Sequence, residues 1–195
     1  MNRKTAYILG WVTLLGFGGC GLALVYFINN QCPLELLKSG EPLYIQLPVG
    51  LAYGVVSAVA VMLIMRHPVM AKEELRYKKL LGPLDIDFKG ILFLSFCAGF
   101  GEEMFFRAFL QPITGIWLAS LIFVILHGYL NPKRPIFFYG LFLVFDIAGL
   151  GWLFDSVGPW AAVAGHFIID VILLSHLITD TEAESIIRSD FNELD

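Results

Sequence analysis

Residues 91–110 read ILFLSFCAGFGEEMFFRAFL, a run of twenty in which Glu102, Glu103 and Arg107 are the only charges. At ~1.5 Å of rise per residue, a helix of that length crosses the ~30 Å hydrocarbon core of a bilayer. An ionisable group at that depth is expensive, so it needs a partner or a job. Glu103 and Arg107 are spaced i,i+4 with the acid first, the better orientation for a helical ion pair. Glu102 lies about 100° further round the helix and cannot share Arg107 as easily. Glu103–Arg107 is therefore expected to be a structural ion pair, and Glu102 the carboxylate left for chemistry. The plainer alternative makes all three one buried salt-bridge cluster.

Five more apolar runs flank this one. They are Ala6–Ile28, Leu43–Met65, Ile113–Leu130, Ile136–Phe154 and Trp160–Ile178. The first follows Arg3 and Lys4 as a secretory signal would, but it is too long for a cleaved apolar region and is expected to be retained. Composition agrees with a chain in lipid. Its 195 residues are 57% hydrophobic and 15% charged, with mean hydropathy +0.74, against roughly 45–50% and 25% for soluble domains. Disorder, nucleic-acid binding and an ordinary soluble enzyme are excluded. The expected fold is all-α, a polytopic transmembrane bundle of about six spans in a single domain, 1–178. The segment Pro68–Lys89 alternates charges with Leu75, Leu80 and Leu81 and is expected to be an amphipathic surface helix, or equally a solvated connector. Residues 179–195 form a short acidic tail. Cys20, Cys32 and Cys97 make no CxxC pair or metal spacing and are expected to act as small hydrophobes.

Basic residues set the orientation. With six spans and the N-terminus inside, the inner segments hold Arg3, Lys4, Arg66, Lys72, Arg76, Lys78, Lys79, Lys89, Lys133, Arg134 and Arg188, which is 11 of the 13. Lys38 alone lies outside, and Arg107 is within a span. Both termini are expected to be cytoplasmic, in a prokaryotic plasma membrane.

The other spans carry His127, Asp146, His166 and Asp170. His166 and Asp170 share one helix face. There the acid can orient the imidazole, join it as a metal ligand, or contact a substrate carbonyl once protonated. Phe123, one turn before His127, supplies an aromatic wall. A lone intramembrane histidine is usually a helix–helix hydrogen bonder. Two of them with a surplus glutamate and an aspartate favour a convergent site. His67 and His176 fall at span ends and are expected to be interfacial.

Glu102-Glu103-Met104-Phe105-Phe106-Arg107 fits EExxxR, Phe123 to His127 fits FxxxH, and His166 to Asp170 fits HxxxN/D. In this order, each within an apolar run, the three motifs resemble those of the CAAX protease and bacteriocin-processing (Abi) family over about residues 80–178. Ala108 stands where that family usually has glycine, and Asp170 at a position often held by asparagine. The resemblance implies an intramembrane endopeptidase acting on a membrane-associated peptide or protein. Glu102 and His127 would activate water, and His166 with Asp170 would steady the oxyanion. Alternatively Glu102, His127, His166 and Asp170 would bind zinc or another divalent metal, since carboxylate and imidazole suit that ion. A proton- or ion-coupled transporter and a non-catalytic scaffold are the competing classes. The chain is short and has no inverted repeat, which counts against transport.

The sequence also poses a geometric problem. Counted from Lys89, Glu102 lies roughly 20 Å deep, whereas His127, only about four residues from Asn131, is expected nearer the inner surface. Straight spans would hold the motifs apart. Gly99, Gly101 and Pro112 are candidate sites for a broken or shortened helix.

Overall fold

The computed structural model describes residues 3–81, 84 and 86–192, with side chains described as far as Ile178. The expected acidic tail, 179–195, therefore has its side chains outside the described residues, as do positions 82, 83 and 85 of the Pro68–Lys89 segment. The described chain is helical and contains no strand.

Helix α1 is Arg3–Phe27, with a π-helical segment at Thr13–Gly19. A short α2, Pro33–Leu37, leads to α3, Leu43–Met65. After a 3₁₀ turn at Pro68–Met70 comes α4, Ala71–Leu81. Helix α5 starts at Phe88–Glu103, widens into a π-helix at Met104–Leu110 and ends with Gln111–Thr114. Helix α6 is Ile116–Leu126, α7 is Ile136–Ser156 and α8 is Pro159–Asn192. Four segments are long and apolar enough to cross a membrane: α1, α3, α7 and Pro159–Ile178 of α8. The expected all-α bundle is the observed architecture, with four helical segments, rather than the six expected, long and apolar enough to cross a membrane.

The third and fourth spans differ from expectation. The third extends past Leu110 to Thr114, and the fourth begins only after Gly115, whose φ of 82° no helix accommodates, and ends at Leu126, just before Gly128 at φ 76°. What remains, α6, has eleven residues and is about 16 Å long, half a hydrocarbon core. This resolves the depth problem. Helix α5 rises roughly 37 Å from Lys89 to Thr114, and α6 returns about 16 Å, so His127 at its end lies roughly 20 Å deep, level with Glu102. Residues 127–135 are non-helical. Irregular backbone at that depth is tolerated where it lines a cavity.

Helix α8 is the centre of the bundle, packing on α3, α5, α7 and α4. Gly50 and Gly54 of α3 lie against Ala161 and Gly165 of α8, and a Cβ at either glycine would overlap a backbone carbonyl oxygen across the contact. Two small residues four apart on facing helices let the backbones approach, the usual association device in lipid. Gly54→Leu should therefore drive the helices apart, at about 1–3 kcal/mol or more for overpacking. The check is a lowered melting temperature in detergent; an unchanged one would mean that α8 is held elsewhere.

Helix α4 has the charge pattern its dipole favours, with Glu73 and Glu74 in the first turn and Lys78 and Lys79 in the last. Lys78 pairs with Glu74 at 3.2 Å. Glu73 reaches further. Arg134, in the loop before α7, donates Nε to its Oε1 at 2.9 Å and a second hydrogen bond to its Oε2. This bidentate pair straps α4 to the bundle and holds the Glu73 carboxyl below its ordinary value of 4.5. A group lowered by folding contributes its full stabilisation above its unfolded value and loses it as pH falls through the folded one. The strap should accordingly hold at neutral pH and release only below 4.5, read as protease sensitivity of α4 against pH. Release above that value would mean that another group governs the strap.

Candidate active site

The two adjacent glutamates face different partners. Glu103 is fully buried. Its Oε2 accepts from Arg107 Nε at 3.3 Å, and its Oε1 lies 2.9 Å from His166 Nδ1. Arg107, also fully buried, donates Nη1 to Ser120 Oγ at 3.1 Å and to Gln111 Oε1 at 3.3 Å. Gln111 in turn donates to Gly151 O at 3.0 Å. Glu103 is thus more than an ion-pair partner, because it also reaches α8 and fixes an imidazole. The link to His166 was not read from the sequence, where 63 residues separate the two.

Glu102 points the other way. Its Oε2 is 3.5 Å from His127 Nε2 and 3.9 Å from His166 Nε2. Asp170 Oδ2 is 3.8 Å from the same His166 nitrogen. The structure brings Glu102, His127, His166 and Asp170 together from α5, the end of α6 and α8.

Hydrogen bonding sets the tautomers. His127 Nδ1 lies 2.7 Å from Phe123 O. A carbonyl oxygen only accepts, so Nδ1 carries the proton. Glu103, paired with Arg107, accepts in the same way from His166 Nδ1. Both rings therefore turn Nε2 toward Glu102, and the hydrogen bond on the far nitrogen holds each in place. Phe123 packs on both imidazoles. It stacks on His127 with centroids 4.2 Å apart and meets His166 edge-on at 5.9 Å. Tyr129 also lies parallel to His127, with centroids 6.0 Å apart.

These groups line a cavity of about 230 Å³ that also includes Asp146 and Tyr129. A second cleft, of about 300 Å³, lies between α3, α4 and α8 and meets the first at Tyr129, Tyr139 and Asp170. Its walls include Val61, Met62, Leu80 and Leu173 and are largely apolar. Asp146 is held from α3, a contact that the sequence did not suggest. Ser57 Oγ is 2.7 Å from both its carboxyl oxygens, and Tyr53 OH donates to its backbone carbonyl at 2.7 Å. The available signal was the face shared by Gly50, Tyr53, Gly54 and Ser57 on α3.

A zinc ion needs its ligands at about 2.0–2.2 Å. Among the described residues no three His, Cys, Asp or Glu side chains are grouped to hold a metal ion.

A membrane-embedded helical bundle with an internal Glu, His and Asp cavity is the class that fold and site define. Within it, residues 86–172, which contain all three motifs, match the family model described as type II CAAX prenyl endopeptidase Rce1-like. The family resemblance read from the motifs is borne out for that segment. An uncharacterised protein of Bacillus subtilis (strain 168), YpbD, is 37% identical over 83 residues. That alignment covers 42% of this chain and 42% of the relative, so the chain spans less than half the length of the protein it matches. No solved structure matches the chain.

Proposed function

We propose that the protein is an intramembrane endopeptidase, hydrolysing a peptide bond in a membrane-associated peptide or protein. The observation that carries this reading is the convergence of Glu102 with two imidazoles whose Nε2 atoms both face it, in a cavity within the bundle. The Rce1-like match over the same residues supports it.

Glu102 acts as general base. It takes a proton from a water molecule whose oxygen attacks the scissile carbonyl carbon. His127, whose proton sits on Nδ1, steadies that water by accepting a hydrogen bond from it at Nε2. The oxyanion that forms needs a hydrogen-bond donor. His166 already donates through Nδ1 to Glu103, and in its protonated form it donates through Nε2 as well. Collapse of the tetrahedral intermediate breaks the C–N bond, and the leaving amine takes the proton from Glu102. The apolar cleft beside Tyr129 accommodates apolar parts of the substrate. The bilayer is the protein's environment, with both termini on the cytoplasmic side, as the basic residues argue.

Asp170 stands 3.8 Å from His166 Nε2, too far for a hydrogen bond. Asp170→Asn keeps the side-chain shape and removes no hydrogen bond, so it should retain most of the turnover. The reaction as written needs no metal, and a chelator should leave turnover intact. The experiment is cleavage of membrane peptides by the purified protein in detergent, with both conditions compared. Loss of activity in Asp170→Asn or on chelation, restored by excess zinc, would make Glu102, His127, His166 and Asp170 metal ligands instead.

A further inference from the structure

Asp146 has no part in that reaction, yet it lines the same cavity as Glu102, His127, His166 and Asp170. It lies near the middle of α7, a span long and apolar enough to cross the membrane. A carboxylate offers roughly four acceptor sites. Ser57 has one hydroxyl proton to give, and Tyr53 directs its own to the backbone carbonyl at 2.7 Å, with Oδ1 further off at 3.3 Å. Among the described residues Asp146 forms no ion pair with a lysine, arginine or histidine. Arg107 is engaged by Glu103, Ser120 and Gln111. The carboxylate is thus fixed from α3, under-supplied with donors and turned to a space that a substrate can enter.

We propose that Asp146 is a specificity-determining residue that accepts a hydrogen bond from a basic side chain of the substrate, held in the catalytic cavity beside the scissile bond. The inference rests on the peptidase reading and deepens it by naming a feature of the substrate. Ser57 and Tyr53 are positioning residues for this carboxylate. A lysine or arginine supplies both the missing donors and the missing positive charge. Norleucine, which has the same carbon chain without the ammonium, supplies neither.

The test is equilibrium binding to the full chain carrying Glu102→Gln, which prevents turnover. The probes are fluorescent, otherwise apolar peptides in which one lysine, or one norleucine, is moved along the chain. At one position lysine should bind about tenfold tighter than norleucine, as expected for a hydrogen bond to a charged group. Adding Asp146→Asn should erase that preference and leave the norleucine affinity unchanged. Absence of a lysine preference at every position, or its persistence in Asp146→Asn, would overturn the proposal. If Asp146→Asn binds neither peptide, Asp146→Glu decides, because it keeps the charge: a retained lysine preference supports the role and a lost one refutes it. Cleavage of the same peptides by the protein with Glu102 intact separates the two readings. A lysine preference in binding without cleavage defeats the peptidase reading alone. Cleavage indifferent to lysine defeats the role of Asp146 alone.

Discussion

Glu102→Gln should abolish peptide hydrolysis and leave the protein folded. Glutamine matches the shape of glutamate, so packing around Ala98, Phe123 and Ile169, which line the same cavity, is undisturbed. What disappears is the base. A positioned general base contributes roughly 10²–10⁴-fold, which would take a slow intramembrane reaction below detection. Stability should change little. Glu102 has no contact with Arg107 like that of Glu103, and its neighbours are two imidazoles at 3.5 and 3.9 Å. The paired readout is turnover beside melting temperature in detergent. Full turnover in Glu102→Gln would remove it from the mechanism; a large drop in melting temperature would make it structural.

Glu103→Gln should fail differently, losing stability and activity together. Glu103 is the carboxylate that neutralises Arg107, and both side chains are fully buried. Removing one member of a buried pair costs about 3–5 kcal/mol, because the other charge is left without compensation. Gln111 and Ser120 also contact Arg107, but neither carries charge. The loss of activity has a separate cause. A glutamine is a poorer acceptor for His166 Nδ1–H, so the ring loses the partner that turns Nε2 toward Glu102. The expected result is a much lower melting temperature, with reduced turnover in whatever fraction stays folded. A variant as stable as the parent would show that Arg107 is neutralised by some other group.

The two glutamates also mark how far the sequence could be read. Helical spacing alone separated Glu103, with Arg107 one turn away, from Glu102. That spacing acts within one helix, so local rules reach it. The bond from Glu103 to His166 joins residues in α5 and α8, and no periodicity encodes it. Most span boundaries were legible for the same local reason: Leu43–Met65 was read without change, while α1, α7 and the start of α8 shifted by only a few residues; the helix of α8 itself runs on to Asn192 instead of ending at Ile178. The fourth span was misread because hydropathy runs without a break through Gly115 and past His127. Hydropathy measures apolarity, whereas a glycine at positive φ decides whether a helix continues. That one residue places His127 level with Glu102. Asp146 stood out as a misplaced charge, but its partners, Ser57 and Tyr53, could be found only by noticing that they share a face with Gly50 and Gly54.

The central claim is that water, activated at Glu102, cleaves a peptide bond inside the bundle. Its most direct measurement is mass spectrometry of membrane peptides incubated with the purified protein in ¹⁸O-water. New C-terminal carboxylates carrying the heavy oxygen, absent from the Glu102→Gln reaction, are predicted. Peptides left intact, together with Glu102-dependent proton flux in proteoliposomes, would contradict the claim and identify a transporter.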